Sequence, residues 1–141
     1  MIGRRAVRGE ISEASALSYV FGYLCANDVS ARDMRDDGQW RCGKSFDTFA
    51  PLGPYLVTDI DASDLRIQAC VNRVTKQDSR TSDLLFKLPH LIAFISQALT
   101  REAGDVIITG TPSGVSAIQP GDVVEVEVER LGVLRNPVVG A

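Results

Sequence analysis

Polar side chains of several chemical kinds follow a largely apolar stretch near the start of the chain. The segment NDVSARD, residues 27–33, places an amide, two carboxylates, a hydroxyl and a guanidinium directly after YVFGYLCA. Carboxylates can ligate a hard cation, and a guanidinium can bind an anion. From the residues alone, an Asx-turn or a helix N-cap is the favoured role of Asp28. Arg32 suits a structural ion pair with Asp28 or Asp33 as well as it suits a substrate contact.

Two other sets of titratable residues are better explained by structural roles than by metal binding or catalysis. The glutamates of VEVEVE alternate with valine, which predicts the solvated face of a strand rather than metal ligands. These residues are Glu125, Glu127 and Glu129. The only histidine, His90, lies beside Pro89 in the first turn of a predicted helix. A solvent-facing or capping role is expected there, rather than catalysis.

Composition and charge exclude several classes of protein. With 141 residues and 45% hydrophobic side chains, the chain predicts one domain covering residues 1–141. A net charge of -3 and a pI near 5.1 leave no basic surface for nucleic acid. No apolar run approaches the roughly 20 residues of a membrane span, and the N-terminus lacks the apolar core of a signal peptide. The odd number and wide spacing of the cysteines suit free thiols in a reducing compartment; they are Cys25, Cys42 and Cys70. We therefore expect a cytoplasmic protein without a nucleic-acid or membrane partner.

The N-terminal half predicts a short helix, a strand and a turn. SEASALSYV, residues 12–20, offers Ser12 as an N-cap and predicts a helix. The two-residue alternation of VFGYLCAND predicts a strand covered on both faces, with Asp28 at its exit. DDGQW, residues 36–40, predicts a turn. The prolines of FAPLGPYLVTD exclude a helix before the extended YLVT.

The C-terminal half is richer in strands. LRIQACVN alternates, and NRVTKQD predicts the return strand of a hairpin. PHLIAFISQALT, residues 89–100, is the clearest helix, with an apolar stripe of Leu91, Ile92, Ile95 and Leu99. DVIITGTPSG predicts a strand ending in a glycine-rich loop, and VVEVEVER and VLRNPVV predict further strands. Because strands outnumber helices and seldom alternate with them, we expect an α+β, mainly β fold with a mixed sheet.

Four motifs stand in one order along the sequence: GYLCANDVSARD, GKSFDTFAPLGPYLVT, GDVIITGTPSGV and PGDVVEVEVERLG. Together they resemble the C-terminal part of the fumarylacetoacetate hydrolase family, nearest to its small domain-containing members. The resemblance runs from about residue 2 to residue 139. It implies the mixed β-sheet roll or sandwich of that C-terminal domain, truncated at its N-terminus.

The resemblance also implies a function and a set of site residues. It implies a divalent-metal enzyme acting on small oxo acids, most often an acylpyruvase-type hydrolase of carbon–carbon bonds, with relatives that decarboxylate, isomerise or dehydrate. It also implies a homo-oligomer. It assigns Asp28 as a ligand of Mg²⁺ or Mn²⁺ and Lys44 as a catalytic residue beside the metal. It assigns Arg32, Gly110 and Thr111 to substrate binding. Without the resemblance, Lys44 is an ordinary surface lysine. The motif Gly110-Thr111-Pro112, called the GTP motif below, then suits a tight turn.

The family pattern has two parts that this sequence lacks. A Glu-x-Glu pair that supplies two more metal ligands lies, in the family, just upstream of the segment corresponding to MIGRRA. A still earlier lid segment supplies the His and Glu that activate the attacking water. Metal binding by this chain alone is therefore expected to be weak or absent. Three hypotheses stay open: an enzyme completed by another chain or by a longer native protein, an inactive binding or assembly module, and a purely structural module.

Overall fold

The structure is a computed structural model that describes residues 1–35, 38 and 40–140. Regular elements in the described residues are mainly strands, with a single α-helix. The strands and the α-helix are β1 (Tyr23–Ala26), β2 (Leu52–Val57), β3 (Arg66–Val71), β4 (Val74–Arg80), α1 (Leu88–Ala98), β5 (Val123–Val128) and β6 (Gly132–Pro137). The 3-10 helices are Ala16–Tyr19, Arg32–Arg35, Cys42–Lys44 and Thr81–Asp83.

A four-stranded sheet carries the site. Its strand order is β4-β3-β5-β6, and every ladder in it is antiparallel. The predicted hairpin is confirmed: β3 and β4 are joined at Asn72 and Arg73, both with positive φ (52° and 67°), as a tight two-residue hairpin turn requires. The α+β, mainly β class is confirmed as well, and the sheets formed by the described strands are antiparallel rather than mixed.

One face of this sheet is apolar because β3 and β5 place their branched and small side chains on it together. Ala69 pairs with Val126 and Val71 pairs with Val124, so these side chains share a face. One end of the face is covered by the antiparallel pair β1-β2 and forms the main core. The buried members of this core are Cys25, Ala62, Leu65, Val126, Val128, Leu131 and Leu134. The other end of the face is open.

Helix α1 packs on a second, smaller core formed with the N-terminal segment. The predicted helix is confirmed, with Pro89 near its start, but its buried face differs from the predicted stripe. Ile92, Ala93 and Ser96 are buried, whereas Leu99 is 57% exposed. Ile92 of the predicted stripe is therefore confirmed as buried, whereas the buried face also includes the small residues Ala93 and Ser96. Ser96 contacts the N-terminal segment closely, with a hydrogen bond from Ile11 N to Ser96 Oγ at 3.4 Å.

Two predicted elements differ from the structure. The helix expected over residues 12–20 is a 3-10 helix of four residues, Ala16–Tyr19, preceded by serine-mediated turns. The strand expected in DVIITGTPSG does not form. No backbone hydrogen bond joins residues 106–118 to another described strand, and an extended segment without a ladder is not a strand. Its apolar character has another cause, since Ile107 packs against the second core.

The predicted turn DDGQW includes residues 36, 37 and 39, which lie outside the described residues. Strand β1 is shorter than predicted, and Asp28 follows its last residue, Ala26, by two positions. Among the described residues, no helix is long and apolar enough to span a bilayer.

Candidate functional site

Asp28 is carried into the site by the end of β1. The backbone pairing with the β2 side extends just past the strand, where Asn27 N donates to Pro51 O at 3.2 Å. The chain then turns, with Val29 N donating to Asn27 O at 3.0 Å. The Asp28 carboxylate is thus presented at a strand end, and the partner that the structure gives it is Lys44 rather than the backbone of VSARD. The turn or N-cap role favoured from the residues alone is therefore not the role of this side chain.

Lys44 reaches Asp28 because two backbone segments approach each other closely. Ala31 N donates to Gly43 O at 2.8 Å. A Cβ on Gly43 would lie 2.8 Å from Ala31 O, so only glycine permits this contact without a backbone shift. Lys44 follows as the last residue of the 3-10 helix Cys42–Lys44, and its Nζ donates to Asp28 Oδ2. Both side chains are little more than a third exposed (36% and 38%), which leaves the pair accessible to solvent and ligands.

The GTP motif lies against β4. Gly110 has a φ of 121°, a conformation suited to glycine, and Thr111 and Pro112 follow it. The Gln77 side-chain amide donates from Nε2 to Thr111 Oγ1 at 2.7 Å and to Pro112 O at 2.8 Å. The motif is therefore held by a side chain of β4.

Gln77 was not predicted from the sequence, because its orientation depends on a β-bulge. Ala69 pairs with Gln77 but the next residue, Cys70, pairs with Thr75, so Lys76 is the extra residue of the bulge. The bulge lets Gln77 share a face with Ala69, while Thr75 lies with Cys70 on the other face. The alternation of VTKQDSR holds no signal for this insertion.

These segments line a single cleft of about 990 Å³. Its apolar floor is the open end of the sheet face, formed by side chains of β3 and β5 that include Ala69 and Val124. All five predicted site residues are among its described lining residues: Asp28, Arg32, Lys44, Gly110 and Thr111. The cleft thus brings together residues that are far apart in the sequence.

The charge of the described cleft lining is predominantly positive. Arg32, Lys44 and Lys76 are basic, and Asp28 is the acidic residue that faces them. In the described part of the chain no ion pair joins Arg32 to Asp28 or to Asp33, so its guanidinium is not committed to the structural pair considered from the sequence. Such a lining is complementary to a small anion.

The residues that were judged not to be site residues lie elsewhere. The glutamates of β5 project from the sheet face opposite the cleft, since Val124 and Val126 face the cleft. Glu125 pairs with Arg135 at 3.3 Å. His90 Nδ1 lies 2.7 Å from Glu13 Oε1 on the surface of α1, outside the cleft. Both predictions of a non-catalytic role agree with this placement.

The described residues supply only part of a metal site. No group of three or more His, Cys, Asp or Glu side chains that could hold a metal is found in the described residues. At the cleft, Asp28 offers one carboxylate, and Lys44 competes for it. Mg²⁺ is typically held by one or two carboxylates with several waters retained. Asp28 is a suitable donor for such a cation, but its carboxylate is paired with Lys44, and the described cleft residues add no second carboxylate.

Two groups outside the cleft have a pKa that their surroundings shift. The Arg66 guanidinium, with nitrogen–oxygen distances of 3.0 and 2.6 Å, lowers the pKa of the Asp78 carboxyl on β4. Burial raises the pKa of the thiol of Cys25, a residue of β1, which suits a core residue rather than a nucleophile. These groups stabilise the elements that flank the cleft.

The fold and the cleft define a class: a mainly β protein with a basic cleft at the end of a strand, built from loops over an antiparallel sheet. Comparison with known sequences identifies the family. The family described as fumarylacetoacetate (FAA) hydrolase C-terminal matches residues 1–139. The chain belongs to this family, as its motifs indicated.

Relatives in the family carry out different reactions. The solved structure of 5-carboxymethyl-2-hydroxymuconate delta-isomerase from Mycobacterium smegmatis has a TM-score of 0.94 and is 48% identical, covering 98% of this chain and 55% of that one. Rat mitochondrial oxaloacetate tautomerase Fahd2a is 45% identical over 92% of this chain and 45% of its own length. Maleylpyruvate hydrolase from Sphingobium sp. SYK-6 has a TM-score of 0.90 and is 31% identical, covering 100% of this chain and 52% of that one. The chain thus spans about half the length of these relatives.

Proposed function

We propose that the cleft binds a small 2-oxo acid and stabilises its enolate. The observation that supports this is the convergence of Asp28, Arg32, Lys44 and Thr111, from three separate segments of the sequence, on one positively charged cleft. A 2-oxo acid offers a carboxylate and a neighbouring carbonyl oxygen, so it needs an anion-binding group beside a group that accepts developing negative charge.

Each residue has a defined role in this proposal. The Thr111 hydroxyl and the Arg32 guanidinium bind the substrate carboxylate, since both can donate hydrogen bonds into the cleft. The Lys44 ammonium donates to the oxo oxygen, where charge develops as the enolate forms. Asp28 orients Lys44 and is available as one ligand of a divalent cation. When bound, such a cation would polarise the same carbonyl.

The first candidate reaction is keto–enol isomerisation of a 2-oxo acid. In this reaction a proton passes from the carbon beside the carbonyl to solvent, and solvent returns a proton to the oxygen of the resulting enolate. The enolate is the only intermediate, and no water attacks a carbonyl. The isomerase from Mycobacterium smegmatis and the rat tautomerase, at 48% and 45% identity, support this assignment. Both relatives have names that describe the movement of a proton and a double bond without loss of a fragment.

The second candidate is acylpyruvase-type hydrolysis of a carbon–carbon bond, supported by the likeness to maleylpyruvate hydrolase. In this reaction the enolate is the leaving group, and a base must activate water. General-base catalysis contributes about a hundredfold to ten-thousandfold. The single histidine lies outside the cleft, so hydrolysis by these 141 residues alone should be slower than that of an intact hydrolase by at least this factor.

The two candidates can be separated with two substrates. The chain is incubated with oxaloacetate, whose enol absorbs in the ultraviolet, and with acetylpyruvate, whose hydrolysis yields pyruvate and acetate, in each case with Mg²⁺. We expect faster enol–keto conversion of oxaloacetate than the solution rate, and at least tenfold less in Lys44→Ala. The matched control is Lys87→Ala, which removes a lysine outside the cleft whose Nζ donates a hydrogen bond to Ser82 O. If Lys44→Ala and Lys87→Ala retain equal activity, or if wild type has no activity on either substrate, the proposal fails.

A further inference from the structure

Gln77 has an amide orientation that its partners determine. Pro112 O is a carbonyl oxygen and can only accept, so the group 2.8 Å from it must be the NH₂ of Gln77 rather than its oxygen. The same nitrogen lies 2.7 Å from Thr111 Oγ1. Its second hydrogen therefore points to that hydroxyl, which must act as the acceptor.

We infer that Gln77 is a positioning residue, which orients the Thr111 hydroxyl to donate its proton into the cleft. A threonine hydroxyl has one hydrogen and two lone pairs. With one lone pair occupied by the Gln77 N–H, its hydrogen is left for another acceptor. Among the described residues, Gln77 is the hydrogen-bond partner of the Thr111 hydroxyl. The oriented hydroxyl selects an acceptor-only group, and a carboxylate is such a group.

The backbone around Gln77 also supports this positioning role. The bulge at Lys76 places Gln77 on the cleft side of β4. At the same bulge, a Cβ on Gly114 would lie 1.9 Å from Lys76 O and 3.3 Å from Gln77 Cγ. The GTP loop and the bulge are therefore in direct backbone contact. The backbone of both segments holds the donor and acceptor atoms together. Bulges often re-aim a side chain beside an active site, and this one aims Gln77.

This inference rests on the proposed function, because it names how that site recognises the carboxylate of the 2-oxo acid. It adds a selectivity that charge alone does not give. An oriented donor favours a carboxylate, whose two oxygens both accept, over an amide, whose NH₂ group donates. The effect of Gln77 should therefore pass entirely through Thr111.

A double-mutant cycle tests this coupling. Affinity for pyruvate, the smallest 2-oxo acid, is measured by protein-detected NMR titration with Mg²⁺ present, using wild type, Gln77→Leu, Thr111→Val and the double variant. Pyruvamide serves as the uncharged comparison ligand. We expect each single variant to bind pyruvate about tenfold more weakly, since hydrogen bonds to charged groups are stronger than those between neutral groups. The double variant should be no weaker than Thr111→Val. Gln97→Leu, an exposed glutamine of α1, is the matched control and should bind as wild type does.

A second variant keeps the shape of the side chain. Gln77→Glu replaces the donating NH₂ by an oxygen at neutral pH, so the Thr111 hydroxyl must turn to donate to Glu instead of to the ligand. It should bind pyruvate more weakly than Gln77→Leu, while Thr111→Ser should retain most of the affinity. Additive losses in the cycle, or an unchanged affinity in both Gln77 variants, would overturn the inference and leave the proposed function standing. A wild-type chain that binds no pyruvate overturns the proposed function and the inference with it.

Discussion

Asp28 and Lys44 lie 16 positions apart in the sequence, and their side chains form an ion pair at the cleft. The pair joins the end of β1 to a 3-10 helix whose glycine permits close backbone contact with Ala31. Both side chains remain partly exposed, and exposed ion pairs contribute only about 0 to 1 kcal/mol to stability. A pair of this kind contributes little to the fold, which suits groups that exchange partners when a ligand binds.

The first prediction separates function from stability at this pair. Lys44→Met and Asp28→Asn should each change the free energy of unfolding by less than about 1 kcal/mol, because solvent replaces the lost partner. The same variants should lower enol–keto conversion of oxaloacetate at least tenfold. Urea denaturation and the activity assay are measured on the same samples. A loss of activity that parallels a large loss of stability would instead assign the pair a structural role.

The second prediction concerns metal affinity. One carboxylate provides little ligand charge to offset the dehydration of the ion, so Mg²⁺ should bind this chain with millimolar affinity at best. Asp28→Ala should abolish the binding, whereas Glu125→Ala, on the opposite sheet face, should leave it unchanged. Isothermal titration calorimetry measures both. Tight binding that survives Asp28→Ala would show that the ligand assignment is wrong.

Much of the fold was predictable because its signals are local. Neighbouring residues alone determine the alternation of VVEVEVER and the tight hairpin turn. Both elements formed as expected. The segment DVIITGTPSG was not predictable in the same way. Whether an apolar run forms a strand depends on a hydrogen-bonding partner, which the run itself does not encode. The predicted stripe on α1 was right for Ile92, which packs against the N-terminal segment, but it missed the buried small residues Ala93 and Ser96 and wrongly included the exposed Leu99.

The candidate site shows a similar division. The motifs identified the residues that converge on the cleft, since a strand end and two glycine-containing loops carry them. Gln77 was missed because a one-residue bulge changes which face a side chain occupies. Lys76, the extra residue of the bulge, was also not predicted to line the cleft. Residues of this kind are found only when strand register is known.

The third prediction concerns assembly. Helix α1 exposes Phe94 (65%) on the side away from its core, and nearby Leu85 is 86% exposed. The edge strands β4 and β6 also present unpaired backbone groups in the described part of the molecule. We expect a homodimer or a larger oligomer, detectable by sedimentation velocity at micromolar concentration. Phe94→Lys should weaken the association if α1 contributes to it. A monomer across this concentration range would contradict the prediction.

The fourth prediction concerns acid stability. Hydrogen bonds from Arg66 lower the pKa of Asp78, and those from Arg80 lower the pKa of Asp64. A carboxyl whose pKa is lower in the folded state stabilises the fold above its unfolded pKa of about 3.9 and loses this effect as pH falls through the folded value. The free energy of unfolding should therefore decrease with acidification below about pH 4. Urea titrations across this range measure it. Asp78→Asn should be less stable than wild type at pH 6 and show a shallower decline, and an identical slope in the two proteins would count against this cause.

The last prediction concerns the contact between the GTP loop and the bulge of β4. Gly114 has a φ of 98°, and a Cβ there would lie 1.9 Å from Lys76 O, closer than any non-bonded contact allows. Gly114→Ala therefore cannot be accommodated unless the loop moves away from β4. Backbone strain at position 114 costs about 1 to 3 kcal/mol. Because this is less than unfolding the sheet would cost, we expect the loop to detach while the sheet stays folded.

Detachment would separate Thr111 from Gln77 and weaken pyruvate binding about as much as Gln77→Leu does. Gly104→Ala is the matched control, because Gly104 also has a positive φ (95°) but its Cβ would meet nothing within 4 Å. It should lose stability from backbone strain while retaining affinity. NMR titration with pyruvate and urea denaturation of both variants distinguish these effects. If Gly114→Ala binds pyruvate as wild type does, the loop is not held in place by this contact.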